Sequence, residues 1–212
     1  MAYTDRYGHI ALVIAMAGDL LVSFALSFFY SGYSNIKMSI SALGNPNSPV
    51  RIPFNIWMFI EGLLFLLSLP AVYNCYSRVS PSLTKTMVTF IAVFAIGACL
   101  ATSFFSVNES KQIETVASKI HGVASAVGFM LFLFVPLLLG ILSFKAEDRF
   151  TGITSVICFV IALAFFVLFV MSDKEEFSGT FISQEGLWQR LNLVFMYASL
   201  FIAGIRNALS CR

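Results

Sequence analysis

Six long apolar runs, at roughly 9–30, 54–76, 84–107, 119–143, 151–172 and 187–209, decide most of what this chain can fold into. Each is close to the roughly 20 residues that an α-helix needs to cross about 30 Å of hydrocarbon. Within a bilayer no water bonds the backbone, so a spanning segment closes its own hydrogen bonds as a helix or joins a closed barrel. Barrel strands would read as short alternating segments, whereas these runs are continuous and rich in Leu, Phe, Ile and Ala. The expectation is an all-α, polytopic integral membrane protein, residues 1–212 forming a single transmembrane domain of six bundled helices. Composition agrees, with charged residues at 11% against about 25% in soluble domains. The first run resembles the apolar core of a signal peptide but is too long for one. No small-residue cleavage site follows it, so it is expected to stay attached.

Thirteen Lys and Arg against 11 Asp and Glu give a net charge of +2 without a basic cluster, which excludes a nucleic-acid role and a polybasic lipid anchor. Orientation rests on where the cations fall. Arg6, Arg78, Lys85, Lys145, Arg149, Arg206 and Arg212 share one side, and Lys37, Arg51, Lys111, Lys119, Lys174 and Arg190 the other. The excess, seven against six, leads to the expectation that both termini are cytoplasmic in a plasma membrane. Glu109, Glu114, Asp173, Glu175, Glu176 and Glu185 fall on the side with fewer cations, in agreement. Cys75, Cys99, Cys158 and Cys211 are spread so that no pair sits where an oxidising compartment would join it, and four free thiols are expected.

With that orientation the longer loops face outward. The first contains the stretch SISALGNPNSPVRIPFN, residues 39–55, dense in turn formers and holding three prolines. Such a segment suits a structured loop folded over the bundle mouth better than a flexible tether. Pro70 and Pro136 lie inside apolar runs, where each removes a backbone hydrogen bond and is expected to kink its helix.

The order GYSNIKMSISALGNPNSP, FNIWMFIEGLLF, SFFSVNES, KIHGVAS and GLWQRLNLVFMYASLFIAGIR resembles the domain of unknown function 998 family of six-helix bacterial and archaeal membrane proteins. The resemblance spans essentially the whole chain. It points to Ser41, Leu43 and Gly44 in the first loop, Asn55 and Gly62 in the second helix, His121 in the fourth, and Gly186, Gln189 and Arg190 at the sixth. Many relatives carry an acid after the third helix where this chain has Asn108. A more distant likeness to the DRAM and Frag family implies a leaning towards lipid substrates.

The residues themselves offer several chemistries. His121 is a candidate general acid or base near head-group level, or an interfacial histidine bonded to a loop carbonyl. Arg190, beside Gln189, could grip an anionic group bidentately, or pair with Glu185, or snorkel. Asp19 and Glu61 sit inside apolar runs, where acids are costly and by default functional. Ser41 could be a nucleophile activated by His121, though a serine before a turn more often bonds its own backbone. Asn55 and Asn108 complete the ligand-binding candidates. With two histidines in the chain, His9 and His121, expected at opposite ends, neither a metal nor any other cofactor is expected. The 23 Phe residues read as lipid-facing and packing side chains. Two functions follow: an outward-facing site that acts as a lipid hydrolase or acyl transferase, or a non-catalytic binder, carrier or assembly factor. Membrane lipids and a lipid or small anionic ligand are the expected partners, and the sequence sets no oligomeric state.

Overall fold

The computed structural model describes residues 3–108 and 115–210. Glu109, Lys111, Glu114, Cys211 and Arg212, which entered the orientation and thiol arguments, lie outside the described residues. The architecture is all-α, with six helices long and apolar enough to cross a membrane. The first span is α1 (Tyr3–Ser27) and the second α2 (Arg51–Tyr76). The third joins α3 (Pro81–Phe94), a π-helical stretch (Ala95–Ala101) and α4 (Thr102–Phe104). The fourth is α5 (Val116–Phe132) continued by α6 (Val135–Lys145), the fifth α7 (Arg149–Ser172) and the sixth α8 (Glu185–Ser210).

Local chemistry explains the breaks. Pro136 lacks a backbone donor, so the fourth span turns at Leu133 and Phe134 and α6 restarts with the proline in its first turn, where no donor is needed. Pro70, by contrast, sits within a continuous α2. The starts of α5 and α7 are capped: Thr115 Oγ1 accepts from Ser118 N, and Asp148 Oδ1 accepts from Thr151 N at 3.1 Å. The π stretch left no mark in the hydrophobic pattern. It brings α3 so close to α5 that a Cβ on Gly97 would lie 2.5 Å from the Ala124 carbonyl oxygen.

In the bundle α1 packs between α2 and α8, α7 lies against α6 and α8, and α5 rests on α3 and the π stretch. Lipid tails are as apolar as Leu, so dispersion and interhelical hydrogen bonds hold such a bundle together. Phe65, Phe94, Phe132 and Tyr197 provide that packing from four helices, with Phe94 and Phe132 centroids 4.6 Å apart and Phe132 and Tyr197 centroids 5.5 Å apart. Among the described residues, Cys75, Cys99 and Cys158 are in no disulfide.

Candidate functional site

Above the aromatic cluster, at the end carrying the first loop, lies a cavity of about 430 Å³. Asp19, Ser41, Glu61, His121 and Gln189, all singled out from sequence, line it. Most of the remaining wall is apolar, from Phe54, Met58, Phe94, Phe129, Phe166 and Leu193. α5 and α7 form two walls and scarcely touch each other. Their cavity-lining Met130 and Val170 are 53% and 48% exposed, so the cavity opens sideways between these helices.

The roof is the first loop. Ser39, Ile40 and Ser41 face the cavity at the start of a short 3₁₀ turn (Ile40–Gly44) whose Ile40, Leu43 and Gly44 are buried. Arg190 holds the roof down. Its Nη1 donates to the carbonyls of Asn35 (2.8 Å), Met38 (3.2 Å) and Gly186 (3.0 Å), and its Nη2 to Tyr33 Oη (2.7 Å). Tyr33 in turn donates to Ser39 O at 2.9 Å. Burial pushes the Tyr33 hydroxyl above its ordinary pKa, against the pull of the Arg190 cation. Backbone bonds add to the seam, from Leu187 N to Ile36 O at 2.9 Å and from Ile40 N to Gln189 Oε1 at 2.7 Å. Gly186 is required where the two elements meet, since a Cβ there would run into Met38 O and Asn35 O. Arg190 therefore does not line the cavity, and the Gln189 carbonyl oxygen is taken by the loop.

The floor is acidic. Asp19 Oδ2 accepts from Tyr197 Oη at 2.8 Å. Glu61 is fully buried; its Oε1 accepts from Cys99 Sγ at 3.7 Å, while Oε2 has no hydrogen-bond partner. Trp57, one turn earlier, leaves its Nε1 outside hydrogen-bond geometry as well. At 1.5 Å per residue, the ten residues from Arg51 to Glu61 put Glu61 about 15 Å below the start of α2.

His121 stands higher on the wall, with Nδ1 2.7 Å from Phe105 O. A carbonyl oxygen can only accept, so Nδ1 carries the proton, and in the neutral form of the ring the lone pair is on Nε2. Ser41 Oγ lies 3.2 Å from Ser39 Oγ. Two candidates stand away from the cavity lining. Asn55 packs its Oδ1 where a Cβ on Gly44 would fall, and Asn108 exchanges hydrogen bonds with Thr115 at 3.3 and 3.5 Å. Sequence reasoning missed Tyr197 and Cys99. The spacing of Gln189, Leu193 and Tyr197, one helical face of α8, is the signal that could have found the tyrosine.

A family model described as a protein of unknown function (DUF998) matches residues 13–206. The chain belongs to this family. No curated protein and no solved structure matches it. Within this DUF998 chain the matched segment contains the whole cavity lining, from Asp19 to Leu193.

Proposed function

We propose that this polytopic membrane protein receives a lipid or lipid-like amphiphile in its cavity, sideways from the leaflet on the first-loop side. By the distribution of cations that leaflet is the outer one. The carrying observation is the cavity itself: large enough for a drug-sized ligand, mainly apolar, supplied with a few converging polar groups, and open between α5 and α7 at exposed Met130 and Val170. The chain enters along the phenylalanine wall, and the polar part meets Gln189, His121, Asp19 or Glu61.

The test is mass spectrometry of lipid retained by the purified protein after extensive detergent washing. Wild type should retain a stoichiometric amphiphile. Ala126→Trp, at an exposed position of the lining on α5, should retain several-fold less without losing its fold. Equal retention by both would sink the reading.

The arrangement of His121 supports a second reading, lipid hydrolysis or acyl transfer. Its Nε2 lone pair, fixed by the Nδ1 bond to Phe105 O, shares the cavity with Ser41, a base and a hydroxyl of the kind nucleophilic catalysis uses. Here His121→Ala would abolish a product that wild type forms from a lipid extract; no product from wild type rejects it.

A further inference from the structure

We propose that the floor of the cavity is a receptor for a lipophilic cation, an amphiphile whose head is an ammonium or a comparable organic cation, with the Glu61 carboxylate as its counter-ion. This rests on the amphiphile reading above and names its head group.

The sign of the lining comes first. Asp19, Glu61 and Glu185 face the cavity, and among the described residues no Lys or Arg does. The Arg190 guanidinium, the natural partner for an anionic head, spends Nη1 and Nη2 on three carbonyls and a tyrosine hydroxyl in the roof. An anionic head on the floor would meet two carboxyl groups, and the Arg190 cation, whose charge reaches Asp19, keeps its Nη donors in the roof.

The second observation is a vacancy. Of the two intramembrane acids, Asp19 has a strong donor in Tyr197. Glu61 has the weak thiol donor of Cys99 on one oxygen, and the Trp57 indole N–H beside the carboxyl falls short of hydrogen-bond geometry, so the other oxygen is unsatisfied although Glu61 is fully buried and faces the cavity. A buried polar atom without a partner is costly and rare in native structures. A cationic donor arriving with the ligand would satisfy it.

The third is the wall. Phe54, Phe94, Phe129, Phe166 and Phe169 line the same space, and aromatic faces attract an ammonium group that has shed its water. A small, strongly hydrated metal ion would instead demand six or more oxygens at short range. Among the described residues no cluster of three His, Cys, Asp or Glu side chains could hold one.

The experiment uses three ligands with one chain and different heads: dodecylamine, dodecanol and dodecanoate. Each is titrated at pH 8 into the full-length protein in the same neutral detergent, and affinity is read from the rise in melting temperature with ligand concentration. Wild type should bind the ammonium form at least tenfold more tightly than the alcohol, and the carboxylate most weakly. Glu61→Gln should bring the amine down to the level of dodecanol and leave dodecanol binding within about twofold. The proposal is overturned if wild type prefers dodecanol or dodecanoate, or if Glu61→Gln leaves the preference for the amine intact. The wild-type series decides the sign even if the variant does not fold. Equal binding of all three heads would remove the cation and leave the amphiphile reading standing, whereas no binding of any would remove both.

Discussion

Arg190 in the roof and Glu61 in the floor are both ionisable side chains withdrawn from water, and the bundle treats them in opposite ways. Arg190 donates four hydrogen bonds, and Nε alone lacks a partner. Glu61 receives one weak bond from a thiol and leaves an oxygen empty. A saturated group of this kind is committed to the architecture, because every change of partner costs a bond. An unsaturated one can take a further partner without giving one up. The bonds of Arg190 brace the roof and the floor is the place to look for a ligand, whereas the sequence left Arg190 open to gripping an anion, pairing with Glu185 or snorkelling.

The largest effect should come from breaking the roof. Arg190→Ala leaves the Asn35, Met38 and Gly186 carbonyls and the Tyr33 hydroxyl without their charged donor. Charge-assisted bonds contribute about 1.5–3 kcal/mol each and do not add fully, so a loss of about 3 kcal/mol is expected in denaturant unfolding. The segment 31–38 should become sensitive to protease. Lys at the same position should recover little, since an ammonium cannot reproduce the planar fork. Unchanged stability in Arg190→Ala would place Arg190 among the ligand groups after all.

Next in size is Gly186→Ala, which removes no hydrogen-bonding group. Its methyl must displace the Met38 and Asn35 carbonyls, an overpacking cost of about 1–3 kcal/mol. If the roof seals the cavity, this variant should also speed ligand release, measured by dilution of a bound fluorescent amphiphile.

These residues also mark the limit of sequence reading. The six spans were legible because hydrocarbon thickness imposes a length and a composition on each of them. Asp19, Glu61 and His121 could be named because polar groups stand out in apolar runs, and all three face the cavity. The role of Arg190 could not be read. Its partners at Asn35 and Met38 lie more than 150 residues away, and they are backbone carbonyls, which every residue has. The π stretch was equally silent, since an inserted backbone residue changes no side-chain type. The pairing of Tyr197 with Asp19 bridges α8 and α1 across the bundle, a contact that no single helical periodicity reports.

Glu61 should respond with the opposite sign to Arg190. Glu61→Met removes a buried carboxyl whose second oxygen has no partner and replaces it with an apolar chain of similar length. Replacing buried ionic groups by packed apolar ones is often neutral or stabilising, so a gain of about 1 kcal/mol is expected in the ligand-free protein. The same variant should lose the stabilisation that a bound amine gives. A loss of 2 kcal/mol or more without ligand would mean that Glu61 braces the helices, and the contrast between roof and floor would fail.

The smallest effect belongs to the opposite end of the bundle, where Asp148 caps α7 and meets Arg206 at 3.0 Å in a partly exposed pair. Burial raises its pKa, but the hydrogen bonds from Thr151 and the Arg206 cation outweigh that and hold it below the ordinary carboxylate value. A depressed folded-state pKa makes the contribution complete above the usual aspartate range and lost as the pH falls through the lowered value. Asp148→Asn keeps an acceptor for the Thr151 amide but replaces Oδ2, which accepts from Thr151 Oγ1 and Arg206 Nη1, with a donor, and at this partly exposed site it should cost about 1 kcal/mol at pH 7. The difference from wild type should shrink both as the pH falls through the lowered value and in high salt. A wild-type transition that weakens on raising the pH from 5 to 8 would contradict this sign. A cost as large as that of Arg190→Ala would show that satisfied charges at the two ends are equally structural, and that saturation does not distinguish the roof.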